Sequence, residues 1–388
     1  MKILGKATLM GTQRYRERHQ QDCLAAHFRE ANDWVVSSIG IGTYLGAADS
    51  RTDDLVTEAI IESVNNGINL IDTAINYRYM HAEWSTSYAL RALIRDEVIS
   101  RDELIICTKG GFIPDLDRIS WFYSRYIENS RFSIEPEDLV AECHCLHPEY
   151  IWDQLEHSLD NLGVETIDIY YLHNPEMQLS EVAPEIFYHR LRLAFEVLEK
   201  AVSQGKISSY GLATWDGFRV PPAHPNHLDL AKIKAISTQV APNGADHFKF
   251  IQLPFNATML EALVKPTQQI KRVWLPILAA AERLGLSVIS SASIGQTKAV
   301  GHIPEALEGI LHQTPLTPTL QALQFTRSCP KLLTALVGMK TIDHVTENSA
   351  LTRIKPLATK FYKALATASN EMGFLIRPAE FFWGIVKD

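Results

Sequence analysis

One unit recurs along this chain: a short run of β-branched or apolar residues, a polar connection, then apolar residues at helical spacing. Ile68-Asn69-Leu70-Ile71 reads as a buried strand ending at Asp72. Ahead of it, Val56, Ile60 and Val64 share one helical face behind Asp53 and Asp54, acids suited to the positive end of a helix dipole, and Gly67 supplies a stop. The unit returns as Leu104–Thr108 ending at Lys109, Ile167–Leu172 ending at His173, Ile207–Leu212, Phe250–Leu253, Ser287–Ser290 and Thr334–Val337. With the opening run of Val35, Val36, Ile39 and Ile41, the strands number eight. Alternating strands and helices imply a parallel sheet, and eight units predict a closed (β/α)8 TIM barrel. An open doubly wound sheet is the rival, and its dinucleotide-binding form lacks the G-x-G-x-x-G turn it needs.

The 388 residues are read as a single barrel domain with its core at about 36–350, an N-terminal extension over 1–33 as a lid on the barrel bottom, and a helical tail over 352–388. The segment 111–148 is an insertion far longer than the 2–6 residues usual between strand and helix, and 220–247 reads as loop-rich around Pro221, Pro222 and Pro225. Net charge is −8, which disfavours nucleic acid and anionic membrane surfaces as partners. No apolar run is long enough to span a bilayer. Five cysteines, an odd number in so long a chain, favour a reducing cytoplasm over a disulfide framework.

Barrel chemistry sits at the carboxyl ends of the strands. Those ends carry Asp72 with Tyr77 five residues on, Lys109, His173, Thr214, Gln252, Ser291, and Gly338 with Lys340. Singly, each of the first four has a structural explanation: a turn-capping acid, a packed ring, a snorkelling lysine, a satisfied core histidine. Together at successive strand ends they suit proton transfer. A phenol near pKa 10 is a poor acid unless positioned and tuned. An ammonium beside it stabilises phenolate, and an acid beside the ammonium keeps that charge in a desolvated cleft.

The chain resembles the aldo-keto reductase superfamily through Gly40-Ile41-Gly42-Thr43-Tyr44, Asn69 to Tyr77, Ile106-Cys107-Thr108-Lys109, Leu159 to Gly163, Asp168 to His173, and Gly338-Met339-Lys340-Thr341 through Asn348. The resemblance implies a catalytic tetrad of Asp72, Tyr77, Lys109 and His173 in an NADPH-dependent reduction of an aldehyde or ketone, or the reverse on a sugar-like alcohol. It implies cofactor contacts from Thr43, Thr214, Gln252, Ser291, Gly338, Lys340, His344 and Asn348, with Lys340 placed for the 2′-phosphate; Asn256 is a weaker candidate or a turn residue. Tyr44, Trp215 and the aromatics Trp121, Phe122, Tyr123, Tyr126 and Phe132 are expected to wall the substrate site.

Three departures stand against that pattern. Ala213-Thr214 replaces the usual Ser-Asn pair, Ser291 stands where an aromatic usually stacks on the nicotinamide, and 64 residues separate Lys109 from His173. These keep a cofactor-sensing or scaffold protein with weak turnover as the alternative. A two-carboxylate hydrolase ranks last, since Asp72 is the sole strand-end acid. Cys143-His144-Cys145-Leu146-His147 crowds four possible metal ligands into five residues, tighter than zinc spacing, so no metal is expected.

Overall fold

The computed structural model describes residues 2–295, 298–301 and 316–371. The strands in chain order are β1 Phe28–Ala31, β2 Trp34–Ser37, β3 Ile39–Gly42, β4 Leu70–Asp72, β5 Ile105–Gly110, β6 Leu139–Val140, β7 His144–Cys145, β8 Ile167–His173, β9 Ile207–Ala213, β10 Phe248–Pro254, β11 Gln268–Ile270, β12 Val273–Leu275, β13 Ser287–Ser291 and β14 Leu332–Gly338. Eight of them, β3, β4, β5, β8, β9, β10, β13 and β14, close into a barrel in which each neighbouring pair is parallel.

The opening run divides. Only Ile39 and Ile41 belong to the barrel; Val35 and Val36 lie in β2, which pairs antiparallel with β1 across the two left-handed residues Asn32 and Asp33. An Asx pair is the chemistry such a tight hairpin requires. The hairpin seals the bottom of the barrel: Trp34 stacks on Phe250 inside it at 5.8 Å, and its indole donates to the carbonyl of Ala7 at 3.2 Å. Asn69 precedes β4 rather than lying in it, and ties the hairpin down by accepting from Ser37 N and donating to Val35 O.

Helices ring the barrel with their apolar faces inward. Ser50–Asn65 begins earlier than its acids suggest: Asp49 is the cap, accepting from Thr52 N at 2.7 Å, which leaves Asp53 for another task. Pro148–Leu162 ends at Gly163 in the left-handed conformation, φ +64. The segment read as loop contains a helix, Leu230–Val240, capped by Asp229 and burying Leu230, Ile233 and Ile236 at three-residue spacing. The helix starting at Thr359 lays Tyr362 against Phe325, rings 5.4 Å apart; the rest of the expected tail, 372–388, lies outside the described residues. No helix among the described residues is long and apolar enough to cross a membrane.

Candidate active site

The strand ends bring Asp72, Lys109 and His173 to one face of the barrel, and the turn after β4 folds Tyr77 over them. Lys109 Nζ, fully buried, donates to Asp72 Oδ2 at 2.6 Å, to the carbonyl of Thr73 at 2.8 Å and to Tyr77 Oη at 3.2 Å. The Tyr77 and His173 rings meet edge to face, 5.7 Å between centroids. Burial opposes the ammonium, yet Asp72 and Tyr77 outweigh it and hold the Lys109 pKa above its usual value. For Tyr77 the net direction differs from the expected acidification: burial lifts the phenol above its ordinary range and Lys109 only offsets part of that rise. Tyr77 therefore stands protonated at neutral pH. Burial first, then the nearby Lys109 and His144, push His173 well below its ordinary value, so its ring is neutral.

The Tyr77 turn is a strained piece of backbone. Arg78, Tyr79 and Met80 are consecutive left-handed residues with φ of 51, 52 and 73, a conformation that side-chain-bearing residues enter at a cost. A half-buried network holds them: Asp53 accepts from Arg78 Nη1 at 2.7 Å, from Ser85 Oγ at 3.1 Å and faces His81 Nδ1 at 2.7 Å.

Around this centre, the remaining candidates divide. Tyr44 stands exposed at the rim with its ring 5.1 Å from that of Tyr77, and Trp215 lies in the loop after β9. Thr214 Oγ1 is buried with no partner among the described residues, and so is Asn348 Oδ1. Thr43 is committed elsewhere, its hydroxyl donating to the carbonyl of Asp72 at 3.1 Å. Gln252 Nε2 donates to Asp72 Oδ1 at 2.8 Å, so that amide N–H braces the tetrad rather than pointing free. Ser291 ends β13 beside Pro254, and Gly338 lies level with Gly42 where a Cβ would strike Leu45 at 2.6 Å. Lys340 forms no ion pair among the described residues; His344 is exposed one turn into the helix Ile342–Ser349, which Thr341 caps. Asn256 is a turn residue, bonded to Ala292 O, Thr258 N and Thr258 Oγ1.

Phe122 and Tyr126 are buried against Tyr150 of the helix below, with ring separations of 5.6 and 5.1 Å, so they form the insertion's own core instead of a substrate wall. Phe112 stands edge-on to His173 at 5.0 Å. His147 caps the helix Pro148–Leu162, accepting from Glu149 N, and no group of three metal-binding side chains occurs among the described residues. Glu176 is a further buried acid that the sequence pattern does not single out: its Oε1 accepts from the backbone N–H groups of Trp215, Asp216 and Gly217 at 2.6, 3.0 and 3.4 Å. Burial carries its pKa up to about 7 against those bonds. The signal for it is an acid at the end of the His173-Asn174-Pro175-Glu176 run that follows β8.

Residues 38–249 match the model of the aldo/keto reductase family. Across 87% of its length the chain is 22% identical to a 6-dehydroglucose reductase of Novosphingobium aromaticivorans, covering 93% of that protein. In three dimensions it is similar to a glycerol dehydrogenase from Gluconobacter oxydans, TM-score 0.62 with 18% identity over 92% of this chain and 100% of that one. It is also similar to an aldo/keto reductase from Klebsiella pneumoniae in complex with NADP and acetate, TM-score 0.58 with 18% identity over 88% and 95% of the two chains.

Proposed function

The chain belongs to the aldo/keto reductase family, and from that premise we propose that it reduces an aldehyde or ketone with NADPH, or oxidises a sugar-like alcohol in the reverse direction. The single observation that carries the reading is Lys109 Nζ lying between Asp72 Oδ2 and Tyr77 Oη. The residues present suit the cofactor. Thr214 Oγ1, without a partner among the described residues, offers a hydrogen bond at the strand-end face; Lys340 and His344 suit an adenosine 2′-phosphate, and Asn348 Oδ1, an acceptor without a partner among the described residues, suits the adenine amino group. When bound, NADPH supplies the hydride.

The chain's own part is to place and move a proton. His173, neutral, donates to the substrate oxygen and orients it. As that oxygen gains negative charge, Tyr77 Oη gives up its proton to it. The phenolate left behind is met by the Lys109 ammonium, whose charge Asp72 maintains. Positioned proton donation of this kind contributes on the order of 10²–10⁴ in rate. Tyr44, exposed beside Tyr77, and Trp215, on the loop after β9, would select the substrate. All five cysteines are free, in keeping with a cytoplasmic enzyme acting on small molecules.

The test follows NADPH absorbance over a panel of aldehydes and polyols, using the unmodified chain and Tyr77→Phe. Tyr77→Phe should lose roughly 100-fold or more in kcat while still binding NADPH; equal turnover overturns the role of Tyr77. A second reading, a cofactor-sensing or scaffold protein with weak turnover, draws on Gln252 being tied to Asp72 and on Ser291 offering no ring to the nicotinamide. Tight NADPH binding without turnover on any panel member would favour it.

A further inference from the structure

His144 reaches the back of the active site from the insertion. It lies in β7, fully buried, with Nε2 2.8 Å from the carbonyl oxygen of His173. Gln178 Nε2 donates to His144 Nδ1 at 3.0 Å. That bond makes Nδ1 the acceptor, so the proton sits on Nε2 and is given to the His173 carbonyl. Because His173 is the last residue of β8, its carbonyl stands at the end of the ladder, and His144 supplies the donor that a continuing strand would.

The imidazole is itself held. Gln178 Oε1 accepts from Arg190 Nη1 at 2.7 Å, and Arg190 Nη2 donates to the carbonyl of Glu137 at 2.9 Å. The Phe112 ring stands edge-on to both histidines, 5.0 Å from each. Gly111 has φ +126, and a Cβ there would come within 2.8 Å of His144 Nε2, so the approach requires glycine. Burial lowers the His144 pKa to about 4, which keeps it neutral and in this tautomer across the neutral range.

We propose that His144 is a positioning residue for carbonyl reduction: its Nε2–H fixes the His173 peptide, and through it the imidazole that orients the substrate oxygen. The proposal rests on the role given to His173 above. It also assigns a purpose to the insertion, which reaches behind the catalytic histidine and braces it.

Three variants and one spectrum test this. His144→Leu should lower kcat roughly 10- to 100-fold, the range a misplaced catalytic group loses, with the NADPH dissociation constant from tryptophan quenching unmoved. His144→Gln, whose amide Nε2 can reach the same carbonyl, should restore most of kcat. In a His173→Ala background, His144→Leu should add no further loss. Imidazole ¹⁵N spectra of the full chain should give His144 as the neutral Nε2–H tautomer, and His144→Gln should leave the His173 lines in place. Unchanged kcat in a folded His144→Leu, losses that multiply independently of His173, or an Nδ1–H tautomer for His144 would each overturn the proposal. An unmodified chain that turns over nothing sinks the reductase reading instead, and the imidazole spectra then decide the brace alone.

Discussion

Gln252 and Asp72 stand 180 positions apart in sequence, yet Gln252 Nε2 donates to Asp72 Oδ1 at 2.8 Å across the barrel. Asp72 thus divides its two oxygens, one for Lys109 and one for Gln252. A hydrogen bond to a charged group contributes about 1.5–3 kcal/mol. Gln252→Leu should therefore lower kcat by disturbing the Asp72–Lys109 pair, in addition to any rise in KM for NADPH. A change confined to KM, measured by steady-state kinetics over both substrates, would mean that Gln252 serves the cofactor alone.

Lys109 and Asp72 form an ion pair with side chains 0% and 5% exposed. Removing one partner strands the other charge in a dry interior, which costs about 3–5 kcal/mol. Lys109→Met should lower stability by that order in urea denaturation. The double variant Lys109→Met with Asp72→Leu should recover much of the loss while remaining inactive. Equal instability in both would show that the pair is not what the single variant damages.

The barrel is legible in the sequence because parallel strands are buried on both faces and read as continuous apolar runs, and because Asp72, Lys109 and His173 end those runs. Val35 and Val36 look no different from Ile39 and Ile41, since β2 is as thoroughly buried as a barrel strand. Only Asn32-Asp33 signals the hairpin. Helix Leu230–Val240 was hidden by the prolines ahead of it. The direction of Gln252 and the reach of His144 depend on contacts made across the fold, and no local pattern encodes those. Lys109 lowers the Tyr77 pKa as its charge implies, but burial, a property of the whole fold, outweighs it.

Glu176 gives a pH signature of definite sign. Its folded pKa is about 7, above the 4.5 of an exposed glutamate. Between these values the folded chain holds a proton that the unfolded chain has released, so stability falls as pH rises from about 4.5 to about 7. The full effect is on the order of 3 kcal/mol. His27 and His144, lowered to about 3 and about 4, act oppositely, adding stability as pH rises toward 6.5. The comparison is therefore between the unmodified chain and Glu176→Gln, by denaturation at pH 5 and pH 8. Glu176→Gln should gain relative stability at the higher pH; a difference independent of pH would remove Glu176 from this account.

The turn that carries Tyr77 should respond in opposite directions to two substitutions. Three consecutive left-handed residues cost about 1–2 kcal/mol each, and the Asp53 network is what holds them. Asp53→Ala leaves the Arg78 guanidinium, 1% exposed, without its acid, so stability should fall by about 3–5 kcal/mol. Since Tyr77 immediately precedes Arg78, kcat should fall with it although all four tetrad residues remain. Tyr79→Gly, at an exposed position with φ 52, relieves strain and should raise stability by roughly 1 kcal/mol. Thermal unfolding and kcat measured on both variants check this: if Asp53→Ala melts lower but keeps full kcat, the network supports the fold and does not place the phenol.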